Sequence, residues 1–224
     1  MFKKNIFNNL DLSYMGDYEN ARQHIDIHLV DQSKKGTVDD ILAKQDCGLF
    51  TATYRIVLED DEEGRYFIAV TKEILKEWDV TLEQMHEDAL ANQGVFLYEL
   101  KNEITDLEMD GATQDIKKVS EDQLKDKGKA RKPVYILTNE SAMDGSSLIL
   151  NSRIMNDLCA VLGRKAYILP YSSSHSVVIP SGDKAKELAI EIKNIICDKV
   201  SEEERLTDRI FTYSIGKGLE PYDI

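Results

Sequence analysis

Hydrophobic and polar positions alternate early in the chain. Ile25, Ile27 and Leu29 are interleaved with His24, Asp26 and His28, a period of two that predicts a strand with one buried face over residues 21–31. Lys34, Lys35 and Gly36 close it, and Thr37 stands ready to cap a short helix, VDDILAK, through Val38, Ile41 and Leu42. The next apolar run, LFTATYRIVLE, is rich in β-branched and aromatic residues. It is followed by the acidic turn ending at Gly64 and by RYFIAV, which together predict a hairpin. The period then lengthens. Thr71 precedes KEILKEW, with Ile74, Leu75 and Trp78 on one face. Thr81 and Gln84 have capping-box spacing ahead of a stripe of Leu82, Met85, Ala89 and Leu90, and Gly94 marks a stop.

Residues 95–109 fit strand and helix equally. Residues 110–132 are polar, so 111–133 reads as a linker or a connecting helix, with a short helix expected near 114–127. Beyond it the pattern sharpens. Val134 to Leu137 predicts a strand, Asp144-Gly145 a turn, and Ser146 to Leu150 a returning strand. Asn151 or Ser152 caps a helix through Ile154, Met155, Leu158, Cys159 and Leu162 that ends at Gly163. Lys165–Leu169 and Ser176–Ile179 predict two more strands. A long amphipathic helix then carries Ala185, Leu188, Ala189, Ile192, Ile195, Ile196 and Val200, and RIFTYSI predicts an edge strand in the tail. The expected fold is α+β, with mixed or antiparallel sheets, packed helices and a C-terminal β-β-α-β-β-α unit. Its expected parts are an N-terminal arm (1–16), an acidic α+β lobe (17–110), the linker, and an α+β module with a C-terminal helix and tail strand (134–224).

Charge divides the chain in the same way. Residues 1–112 hold 11 Lys/Arg against 24 Asp/Glu, whereas residues 113–224 hold 17 of each, so the whole net charge of −13 lies in the first half. Such a surface repels phosphate backbones, which argues against direct nucleic-acid binding and permits a basic protein partner. No apolar run is long enough to span a membrane. The N-terminal stretch is broken by Asn5, Asn8, Asn9 and Asp11, unlike the apolar core of a signal peptide, so a cytoplasmic location is expected. Three isolated cysteines agree: Cys159 and Cys197 read as small core residues, and Cys47 lies beside Gly48.

Several segments resemble DUF5688, a group of uncharacterised bacterial proteins of gut clostridia and their relatives. The resemblance rests on Tyr135-Ile136-Leu137-Thr138-Asn139, then Gly145 and the helix, then Tyr167-Ile168-Leu169-Pro170 with serines and a histidine. It also rests on Ala69-Val70-Thr71 through Leu75, Trp78 and Val80 to Glu87, and on Leu206-Thr207-Asp208 to Tyr213. It covers most of residues 15–215 and implies a bacterial origin and a shared fold, without an activity to transfer. Where that group's pattern places an acidic residue after the histidine, this chain has Ser176.

The candidate chemistry is sparse. Ser172, Ser173, Ser174 and His175 combine hydroxyl nucleophiles with an imidazole base, the start of acyl transfer, with Asn139 and Asp144 as candidate binding partners. No nucleophile elbow surrounds them, and a polar loop whose hydroxyls bond their own backbone explains the same residues. His24 and His28 would stand about 13 Å apart on one strand, too far to share a metal, and no zinc-type spacing occurs elsewhere. His86 reads as a surface histidine and Trp78 as a core anchor. Ile215-Gly216-Lys217-Gly218 lacks the spacing of a phosphate loop. No metal or cofactor is expected. Three functions are open: an interaction or regulatory protein binding a partner through its acidic half, a hydrolase-like enzyme using the Ser/His loop, and a nucleic-acid mimic.

Overall fold

Period-two and period-3.6 segments combine in each of two units, Met1–Gln93 and Gly94–Ile224, in a computed structural model that describes residues 16–34, 38–61, 64–100, 117–118 and 134–223. In the first unit, helix α1 (Tyr18–Ala21) and a 3-10 turn (Arg22–His24) lead into β1 (Ile25–Asp31). The strand's burial alternates along its whole length, as its period requires. It pairs antiparallel with β3 (Phe50–Asp61), from Ile25 opposite Ile56 to Asp31 opposite Phe50. On its other side β3 pairs first with β2 (Lys44–Cys47) and then with β4 (Gly64–Ala69), with a bulge between Val57 and Glu59. Ile25, Ile27, Leu29, Phe50, Ala52, Tyr54 and Ile56 form the inner face of this sheet. Helices α2 (Lys72–Glu77) and α3 (Leu82–Ala91) start as expected, because Thr71 and Thr81 hydroxyls accept from the Ile74 and Gln84 amides. Each such cap is worth about 1 kcal/mol.

Three expectations for this unit fail. The helix over VDDILAK is absent from its described residues. Asp39 turns the chain by accepting the Ile41 amide, and the backbone of 41–43 is tied to residues 70–72, with Leu42 bridging Thr71, before Lys44 enters β2. Cross-chain pairing outcompetes a helix too short to be stable alone. His24 belongs to the 3-10 turn rather than to the strand of His28. Helix α3 stops at Ala91 with a right-handed cap at Asn92, before Gly94 is reached.

The second unit is a seven-stranded antiparallel sheet in the order β11-β10-β8-β9-β7-β5-β6. Its strands are β5 (Phe96–Leu100), β6 (Lys117–Lys118), β7 (Val134–Thr138), β8 (Lys165–Pro170), β9 (Ser176–Pro180), β10 (Ile210–Ser214) and β11 (Gly218–Tyr222). The ambiguous segment after residue 95 thus begins as a strand, and β5 pairs with β7 in the second unit rather than with the first lobe. Two residues of the expected linker pair with β5 as β6, and the remainder of residues 111–133 lies outside the described residues. The tail strand β10 is not an edge, since it lies between β8 and β11.

The apolar runs of β7 and β9 are buried without alternation because both faces of the sheet are covered. On one face Ile136, Leu169, Val177, Ile179 and Ile210 pack with Ala185, Ala189, Ile192 and Ile196 of helix α5 (Ala185–Lys199). On the other lie Tyr135, Val178, Ile168 and Phe211, a cross-strand row of buried residues. Helix α4 (Ser152–Leu162) covers that side, where the Tyr213 hydroxyl donates to Asn156 Oδ1 at 3.1 Å. Asn151 caps α4 and Gly163, at φ 99°, ends it. The strand expected over Ser146–Leu150 is instead a 3-10 helix, Gly145–Leu150. Asp144 adopts the left-handed conformation, the Ser147 amide closes back on its carbonyl, and Leu148 and Ile149 are both buried, which a half-exposed strand would not allow. The β-β-α-β-β-α unit is therefore β-3-10-α-β-β-α.

Candidate functional site

The Ser/His loop lies between β8 and β9, and the 139–145 loop follows β7, which pairs with β9. The topology therefore brings the two loops to one end of the sheet, where they are laced together. The Ser146 amide donates to the Ser173 carbonyl at 2.9 Å, and its hydroxyl donates to the Ser172 carbonyl at 2.7 Å. The Ser146 hydroxyl also exchanges a 2.8 Å bond with that of Ser176, and Thr138 donates to the Ser174 carbonyl at 2.8 Å. Gly145 makes the approach possible. A Cβ there would strike the Ser174 carbonyl oxygen and lie 2.5 Å from Thr138 Oγ1.

Several hydroxyls of this junction serve the backbone. Ser172 Oγ accepts the His175 amide at 3.1 Å, the Ser147 hydroxyl donates to the Asp144 carbonyl, and the Asn139 side chain folds onto Met143. Ser172 and Asp144 are buried, whereas Ser173, Ser174, His175 and Asn139 are half-buried. The His175 ring stacks on Tyr171, with centroids 6.0 Å apart and planes 12° from parallel. Burial alone pulls the imidazole below its ordinary pKa, with no carboxylate contributing to the shift. Buried beside it, the Tyr171 phenol is pushed above its ordinary value by desolvation. The arrangement holds a desolvated imidazole between the bonded hydroxyls of Ser172 and Ser176, and among the described residues no carboxylate is bonded to the ring to orient it as a general base.

Outside that junction, His86 is not a surface residue. It is half-buried, and Nδ1 lies 2.8 Å from the hydroxyl of the fully buried Tyr54; desolvation lowers its pKa as well. Burial raises the Cys47 thiol, and raises Cys159 to about 11, so neither is an activated nucleophile. Cys197 is half-buried rather than core. Trp78 is a core anchor, 5.4 Å from the Tyr18 ring. Among the described residues no His/Cys/Asp/Glu cluster could hold a metal, and no helix is long and apolar enough to cross a membrane.

One concavity escaped the sequence reading because three separate segments build it. Leu169 and Tyr171 come from the end of β8, Lys193, Ile196 and Cys197 from α5, and Thr207, Asp208 and Arg209 from the approach to β10. Its volume is about 10 Å³, room for one water-sized atom behind an open mouth. Arg205 holds the covering segment. It donates to the Cys197 and Val200 carbonyls at the end of α5 and sits 2.7 Å from the Asp208 carboxylate.

Comparison with known proteins gives one match: residues 2–215 fit the family described as "Family of unknown function (DUF5688)". No curated protein and no solved structure matches the chain.

Proposed function

We propose, for a chain that belongs to the DUF5688 family of unknown function, a non-enzymatic role as an interaction module whose Met1–Gln93 unit takes a basic protein partner. Counted by structural unit, Met1–Gln93 carries 10 Lys/Arg and 19 Asp/Glu and Gly94–Ile224 carries 18 and 22, so the excess is concentrated in the first unit without being confined to it. The observation that carries the reading is the exposed face of α3. Glu83 and Glu87 stand one turn apart, the helix contains no lysine or arginine, and Glu87 and Asp88 lie in its C-terminal half, toward the end where the helix dipole favours a cation. Like charges at that spacing, and acid at that end, cost the isolated helix stability. A basic partner would turn both into favourable interactions. The engagement of the Ser172 and Ser176 hydroxyls in the junction's own hydrogen bonds supports the non-enzymatic side of the reading.

The test is capture from cells that make the protein, with the full chain and its Glu83→Gln/Glu87→Gln variant as baits at graded salt. A defined basic protein held by the native chain, released by salt and weakened by the variant is the expected result. Finding no partner at physiological salt, or equal retention by both baits, removes the proposal.

A further inference from the structure

We draw no further inference here: the strongest candidate, the β11 edge of the second sheet with the Tyr167–Tyr222 ring pair and Lys186 beside it, carries nothing, because nothing in the structure shows what covers it.

Discussion

Gly145 sits where two loops meet with no space for a side chain, between the Ser174 carbonyl and the Thr138 hydroxyl and amide environment of Asn139. Replacing it with alanine has to move backbone rather than a flexible tip, so Gly145→Ala should destabilise the protein by about 1–3 kcal/mol, read from the urea midpoint. The two half-buried histidines give a second test at this scale. His86 and His175 both have pKa values lowered by burial, so the fold favours their neutral forms. Their contribution is complete above the unfolded value near 6.5 and is lost as pH falls below it toward the folded values. Acidification from about pH 7.5 to about pH 5 should therefore lower the urea midpoint. His86→Gln, which keeps an acceptor for Tyr54, and His175→Phe, which keeps a ring against Tyr171, should each flatten that slope. An unchanged slope in both would show that neither imidazole carries the effect.

Two helices are worth separate treatment as elements. In α3 Glu83 suits the first turn, but Glu87 faces it one turn on and lies toward the end where the dipole favours a cation, so Glu87→Lys should raise stability by roughly 0.3–1 kcal/mol while weakening capture of the basic partner. A substitution that lowered both would point to folding rather than recognition. At the end of α5, Arg205 satisfies the Cys197 and Val200 carbonyls that the helix itself leaves open. Arg205→Ala should cost roughly 1–3 kcal/mol, the value of bonds to a charged donor, and release the 201–209 segment to faster hydrogen exchange.

Across the whole molecule, protection should follow the layering of the second unit. Strands β7 and β9 have buried residues on both faces and neighbours on both sides, whereas β11 is an edge whose residues are half-buried or exposed. Amide exchange is expected to be slowest in Val134–Thr138 and Ser176–Ile179 and fastest in Gly218–Tyr222. Equal rates would contradict the doubly covered sheet. The division into units also shifts the boundary of charge. Glu99 belongs with the second sheet, because β5 pairs with β7.

Local pattern determined much of this protein on its own. The α+β class, the alternation of β1, the caps at Thr71, Thr81 and Asn151, and the stop at Gly163 all follow from interactions within a few residues, which a sequence displays directly. The grouping of 139–145 with 170–176 was also legible as a candidate, although not the use of its hydroxyls. Tertiary structure decided the rest. Residues 38–43 took cross-chain bonds instead of a short helix, and 145–150 coiled into a 3-10 turn because Leu148 and Ile149 both had to be buried. His86 went inward to meet Tyr54, and β10 acquired β11 as a second neighbour. The concavity beside α5 draws on residues from 169 to 209 that no spacing rule connects. Each of these outcomes depends on which partner a backbone or side chain finds at long range, and a single local segment holds no record of that partner.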